Sequence, residues 1–456
     1  MITYSIIQKS QLEGALRIDA EYYQPEYLEI VSKVSKIPHD TLENISESLL
    51  SFGAYSLTSF IQWKESGIPF ITAEDVKEGF INLENARFID EKVNEILKKS
   101  RVHENEVLLA MSGKVGDAAV VVDIPSRLNS NQDIVKIKLK KEYSPYFLAV
   151  FLNSKFGRLQ VLRLPVGSVQ QHIFLWQTKS LLIPKFPKTF VVNIENLYKS
   201  ALNEFQDSKT FYKQAEDLLL EELGLKNTVF EDQLSYIVNF SDVTSNNRID
   251  PEYFQPKYQK LIEKIKGQNA KILGELVSMR KGFEPGSEAY QEEGKLFIRV
   301  SSVSKLGIEE KDQKYLSEEL YQALKKDFEP QLGDILLTKD ATPGIAYVIK
   351  EPLEGIISGG ILDLKVKDNI ESEYLALCIS SIVGQWQAQR DAGGSIIAHW
   401  KPEQVKNLII PILPNDTQEK IAELVRKSHE ARKKSKELLD QAKKEVEEMI
   451  EKGGEN

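Results

Sequence analysis

The sequence predicts an α+β chain: two pseudo-symmetric globular domains of mixed helix and strand, separated by two long antiparallel coiled-coil helices. Three observations carry this. The chain repeats itself, each copy holds short strand-like apolar runs, and each copy is followed by a long stretch with helical periodicity and no Gly or Pro.

The repeat comes first, because it sets the domain count. Arg17-Ile18-Asp19-Ala20-Glu21-Tyr22-Tyr23-Gln24-Pro25-Glu26-Tyr27 recurs as Arg248-Ile249-Asp250-Pro251-Glu252-Tyr253-Phe254-Gln255-Pro256-Lys257-Tyr258, with eight of eleven positions identical at an offset of 231. The apolar pair Ile6-Ile7 returns as Ile237-Val238. Glu106-Val107-Leu108-Leu109 with Gly116 returns as Asp334-Ile335-Leu336-Leu337 with Gly344, at 228. Gly167-Ser168-Val169-Gln170-Gln171-His172, followed by Ile183-Pro184, returns as Gly394-Ser395-Ile396-Ile397-Ala398-His399, followed by Ile410-Pro411. Order is kept throughout, as duplication of a domain of roughly 190 residues requires.

Within the copies, Val107–Met111, Ala118–Val122 and Ile134–Leu139 read as strands, and so do Ile335–Thr338, Ile345–Ile349 and Ile361–Val366. Tyr146–Leu152 and Tyr374–Val383 read as helices. Between and after the copies, residues 194–223 and 417–450 carry apolar or small residues at steps of three and four. Ile194, Leu197, Ala201, Phe205, Ser208 and Tyr212 belong to the first stripe, and Ile421, Leu424, Ser428, Ala431, Ser435 and Leu438 to the second. Gly224 and Gly453-Gly454 supply the helix stops. Neither stripe can be buried alone, so the helices are expected to pack on each other; packing of each onto its own domain is the alternative. About 30 residues at ~1.5 Å rise make a rod of roughly 45 Å. The expected domains are 1–187, 188–225, 226–413 and 414–456.

Composition excludes several classes. Hydrophobic residues are 41% and charged residues 28% of 456, as in ordinary globular proteins. Cys378 is alone, so no internal disulfide and no cysteine-built zinc site can form. The first residues lack the apolar core of a signal peptide, and no apolar run of about 18 residues appears, so a cytoplasmic protein without a membrane partner is expected. Gly113-Lys114 is followed by Val115, so no phosphate-binding loop exists, and no Pro-Pro pair or GxGxxG supplies a methyltransferase or dinucleotide motif. The ExK fragment Glu309-Glu310-Lys311 is no more than chance supplies in a chain with this many charges. The five histidines show no HExxH spacing, but His172 and His399 occupy equivalent positions, either packed beneath a turn or facing a ligand. The repeated Arg-Ile-Asp block reads as a packed corner, with a partner surface as the alternative.

The formal charge of −9 argues against a simple cationic nucleic-acid binder. It averages over unlike parts. Residues 101–186 hold 12 Lys and Arg against 6 Asp and Glu, whereas 329–413 hold 7 against 11. The first copy could therefore rely on general phosphate attraction, and the second would need more specific contacts.

Taken together, the chain resembles the specificity subunit of type I restriction–modification systems. The resemblance rests on two domains alternating with two coiled-coil helices, on the Asp-x-Glu-Tyr-aromatic-x-Pro openings and on the Gly-Ser…Ile-Pro blocks. Leu413-Pro414 leading to Gln418-Glu419-Lys420-Ile421 adds to it. Residues Lys188–Asn193 lack that last signal, which leaves the first helix start open. The resemblance implies a non-catalytic reader of double-stranded DNA. Each target recognition domain would contact half of a bipartite asymmetric site, with the helices as a ruler. It implies two methyltransferase subunits and motor-nuclease subunits as partners. S-adenosylmethionine, ATP and magnesium would belong to them, and this chain would bind no cofactor and no metal. DNA contacts are expected from polar loops after strands: Tyr55, Thr58, Ser112, Lys114, Gln170, Gln171 and His172 in the first domain, and Arg280, Lys281, Thr338, Lys339, Ser395 and His399 in the second. A protein-binding scaffold with tandem domains and a dimerising coiled coil is the alternative reading.

Overall fold

A computed structural model describes the chain except residues 1–3, 11, 13–16, 52–60, 85, 125–126, 166–171, 231–232, 310–312, 368–369, 394–397 and 455–456. It divides into two compact units, 1–205 with 433–456, and 206–432. The long helices run Lys188–Glu222 and Asn415–Glu451, so each unit takes half of each helix. No described helix is long and apolar enough to cross a membrane.

In the first unit the central sheet has the strand order Ser46–Leu50, Ile134–Leu139, Val107–Ala110 and Ala118–Val120, every neighbour antiparallel. Val107–Ala110 is an unbroken apolar run because both its faces are covered. Val107 and Leu109 join one core with the Pro145–Asn153 helix, while Leu108 and Ala110 join a second with Ile71, Val76 and Leu128. A smaller sheet holds Arg87–Ile89, Ile68–Ile71, Leu128–Ser130 and Arg101–Val102. His39–Thr41 pairs with Leu182–Pro184 and ties the start of the domain to its end. The Pro145–Asn153 helix breaks at Ser154, and Lys155–Leu162 follows. Gly157 is needed there: a Cβ would sit 2.0 Å from the Phe151 carbonyl oxygen.

Both long helices enter this unit's core through Ile194, Tyr198, Ala442, Val446 and Ile450. The buried Tyr198 hydroxyl donates to Gly79 O at 2.7 Å and accepts from Val120 N at 3.0 Å, and burial pushes its pKa up. The helices also lie against each other. Ser435 Oγ donates to Ala201 O at 2.7 Å and Asn193 Nδ2 to Glu445 Oε2 at 2.7 Å, a pairing that runs antiparallel. The two expectations for the helices are both realised here: the small residues let the helices touch, and the larger ones dock on the domain.

The second unit repeats the plan. Val277–Lys281, Ile361–Val366, Ile335–Thr338 and Ala346–Val348 form the antiparallel central sheet. Lys314–Leu316, Lys295–Ile298 and Gly355–Ile357 form the smaller one, and Ala270–Ile272 pairs with Ile409–Pro411. The stretch read as one helix from Tyr374 is two, Ser372–Ser380 and Ile382–Asp391, broken at Ser381 as its counterpart is at Ser154. Tyr212, Ala215, Leu219, Ile421 and Val425 bring the long helices into the core, and Ser428 Oγ donates to Ser208 O at 2.7 Å. Gly224, at φ +63°, stops the first helix as expected, with Leu225 N bonded to Leu220 O at 2.7 Å. His429 lies on the second helix against Tyr347; burial, aided by Lys350, holds its imidazole at about 3, so it is neutral.

The repeated Arg-Ile-Asp block is a packed corner in both units. Arg17 Nε donates to Asp19 at 2.8 Å and Nη1 to Leu164 O at 2.7 Å, with the guanidinium over the Tyr22 ring. Arg248 does the same with Asp250 at 2.8 Å, Asp391 O at 3.1 Å and the Tyr253 ring. The isoleucine between Arg and Asp points outward in each copy, Ile18 88% and Ile249 86% exposed.

Candidate nucleic-acid interface

The expected contact residues that fall within the described structure gather at one end of each central sheet. In the second unit the turn between Ile335–Thr338 and Ala346–Val348 is built by Thr338. Its hydroxyl donates to Thr342 O at 2.5 Å and accepts from Ile345 N at 3.0 Å, and the residue is fully buried. Thr338 therefore shapes the loop, with its hydroxyl engaged inside the turn. Ala341 holds a left-handed conformation, φ +60°, where the first unit has Gly113 at φ +66°. A side chain there costs about 1 kcal/mol. Ala341→Gly is expected to raise the second unit's stability by up to that amount, read as a shift in its urea midpoint.

The segment around His399 joins this turn through a single β-bridge. Trp400 N bonds to Lys339 O at 2.8 Å and Ala341 N to Ala398 O at 2.9 Å, which sets Asp340 and His399 directly opposite. Opposed side chains between such bonds lie close together on one face. His399 Nδ1 meets Asp340 Oδ1 at 2.8 Å, and Lys339 Nζ meets Asp340 Oδ2 at 2.5 Å. Burial alone would push the Asp340 carboxyl up, but the hydrogen bonds from Lys339 and His399 hold it below its usual value. The His399 side chain stays 62% exposed, whereas Lys339 is nearly buried and spends its charge on Asp340.

The first unit uses the same frame with other side chains. Ile173 N bonds to Met111 O at 3.2 Å, the counterpart of the Trp400 bond, and brings His172 level with Ser112. The His172 ring sits edge-on to Phe174 at 5.3 Å, and Lys114 is exposed in the turn between the strands. Tyr55, Thr58, Gln170, Gln171 and Ser395 lie outside the described residues.

Arg280 and Lys281 end the Val277–Lys281 strand and differ in what they offer. Lys281 is exposed at the same sheet end as Asp340. Arg280 instead meets Asp363 on the neighbouring strand at 2.5 Å and Glu329 O at 3.1 Å. Asp363 is 1% exposed; burial and the nearby Asp334 push its carboxyl up to about 6 against the pull of Arg280. The expectation that Arg280 reads a base meets a side chain already committed to a buried carboxylate.

The equivalent strand position in the first unit carries Lys136, also 1% exposed, with Ser130 Oγ at 3.4 Å. Burial pushes its ammonium down to about 8, opposed by Glu106. Reading Ile134–Leu139 as a strand was right but did not place this charge in the core. The signal was present: one charge at the third position of both central strands, in an otherwise buried run.

The basic excess of 101–186 is also largely consumed. Arg101 pairs with Glu95, Arg127 with Glu91, Lys138 with Glu47, Arg158 with Glu78, Lys179 with Glu43 and Lys185 with Asp40. All six acids come from residues 1–100, which hold 16 Asp and Glu against 10 Lys and Arg. General phosphate attraction by the first unit is weaker than the local count suggested.

Residues 266–443 match the family described as the type I restriction modification DNA specificity domain. No curated protein sequence is similar to the chain. Among solved structures, a type I restriction–modification S subunit from M. genitalium is similar at 14% identity and TM-score 0.41, covering 92% of this chain and 96% of that one. The HsdS subunit from Thermoanaerobacter tengcongensis is similar at 14% identity and TM-score 0.28, covering 92% and 97%. Those scores are too low to weigh by themselves. The match to 266–443 takes in the second unit's central sheet, its His399 turn and much of the second long helix. The second unit is therefore similar to the type I restriction modification DNA specificity domain, and the first unit repeats its central sheet.

Proposed function

We propose that this chain recognises a bipartite, asymmetric sequence in double-stranded DNA, each unit reading one half from the sheet end that carries its turn and histidine. The observation behind this is the pairing of one backbone frame with two sets of side chains, Ser112 and His172 against Asp340 and His399. A frame kept while its side chains diverge suits two readers of different sequences. Exposed candidates are Lys114, Lys281 and His399, with His172 half-buried; Tyr55, Thr58, Gln170, Gln171 and Ser395 remain candidates on sequence grounds. Thr338, Lys339 and Arg280 act behind them.

The long helices set the distance between half-sites, and the chain performs no catalysis itself. Two methyltransferase subunits would supply S-adenosylmethionine chemistry on adenine, and motor-nuclease subunits ATP- and magnesium-dependent cleavage. The Arg-Ile-Asp corners fit the docking of two copies of one partner. Ile18 and Ile249 are exposed there, as are Ile6 at 92% and Ile237 at 98%, again at matching repeat positions.

Selection of duplexes from a random-sequence library by the full chain at low salt tests the proposal. Two short conserved blocks at a fixed separation are expected; a single block, or none, would count against it. Lys114→Ala is expected to weaken binding to all sequences alike and to reduce the dependence of log K on log salt by about one. An unchanged salt slope removes Lys114 from the interface.

A further inference from the structure

We infer that His399 reads a base edge in the major groove through Nε2 acting as an acceptor, and that Asp340 is the positioning residue that fixes it in this role. The inference deepens the DNA-reading proposal and rests on it. A carboxylate only accepts hydrogen bonds, so the ring nitrogen 2.8 Å from Asp340 Oδ1 must carry the proton. The backbone pairing of Asp340 with His399, flanked by bonds from Trp400 N and Ala341 N, holds both side chains on one face, so the ring orientation is built into the fold. The Nδ1–H tautomer presents its lone pair on Nε2, and the ring is 62% exposed.

Lys339 holds the carboxylate in place, its ammonium meeting Asp340 Oδ2 at 2.5 Å while Oδ1 faces the ring. A lone pair repels phosphate oxygens. It accepts instead from an exocyclic amino group, adenine N6 or cytosine N4, both displayed in the major groove. The first unit lacks this device: Ser112 stands where Asp340 does, and His172 rests against Phe174. The same histidine therefore gives different information in the two units, which is what two unlike half-sites require.

The library selection is repeated with His399→Ala, Asp340→Ala and Asp340→Asn in the full chain. His399→Ala and Asp340→Ala are expected to lose about tenfold in preference at one and the same base pair of one half-site, leaving the other half-site unchanged. Asp340→Asn, whose amide oxygen still accepts the Nδ1 proton, is expected to keep that preference. His399 is a surface side chain, so its removal reads out function even if Asp340→Ala disturbs the turn. A His399→Ala chain that selects the wild-type sequence overturns the inference while leaving DNA reading intact. Uniform weakening on all sequences means a phosphate contact and overturns it too. A wild-type chain that selects no conserved sequence overturns the DNA-reading proposal itself.

Discussion

Arg280→Ala is expected to destabilise the second unit by about 3 kcal/mol near pH 8, and by less near pH 5. Removing one partner of a buried ion pair leaves the other charge uncompensated, which is the costly case. Asp363 would be left 1% exposed with Asp334 close by. Its carboxyl, at about 6 with Arg280 present, lies above the ordinary 3.8. A raised acid favours the folded state below its unfolded pKa, and that advantage is lost as pH rises through the folded value. Between about 4 and 6 the second unit therefore loses stability as pH rises. The variant, without its guanidinium, extends the effect to higher pH, and acidification recovers part of the loss. Hydrogen exchange along Ile361–Val366 reads the change in the unit that carries it. Unchanged exchange, with base-specific loss of DNA binding instead, would make Arg280 a reader and not a clamp.

The first unit predicts the opposite sign. Lys136→Met is expected to stabilise it by about 2–3 kcal/mol at neutral pH. The ammonium is buried with one weak hydrogen-bond partner, and its pKa falls from 10.5 to about 8. One pKa unit corresponds to about 1.4 kcal/mol, so keeping this group charged in the fold is expensive. A lowered base favours the folded state above its unfolded pKa and loses that advantage as pH falls through the folded value. Wild-type stability should accordingly rise between about pH 8 and 10.5, and the gain from methionine should shrink over the same interval. Glu106 would not be stranded by the change, since it accepts from His103 N at 2.9 Å. Urea unfolding followed by exchange along Ile134–Leu139 measures it. A loss of stability would show that Lys136 is paired better than its surroundings indicate.

These two residues also mark what the sequence could and could not carry. The duplication was legible because one eleven-residue block and several shorter ones recur in order, and the central strands and long helices followed from periodicity. Gly224 marked a helix end in plain view. The smaller sheets were not legible, because pieces such as Arg101–Val102 and Val76–Lys77 are too short to show a period. Charge was read locally, while the acids that neutralise 101–186 come from the preceding hundred residues. Thr338 and Arg280 look like loop-side polar residues in sequence; only strand register shows that one ties the turn and the other faces Asp363. His399 was found through the repeat, but Asp340 is 59 residues away and becomes its neighbour only when the two segments pair.

The central claim is that two diverged copies of one frame read two different half-sites. Co-expression of the full chain with the adenine methyltransferase proposed as its partner, followed by genome-wide mapping of methylated adenines, tests it most directly. The account predicts one bipartite asymmetric motif with a constant gap, which lengthens without change in either half when a turn is inserted into both long helices. Methylation scattered without a motif, or confined to a single uninterrupted sequence, would contradict it.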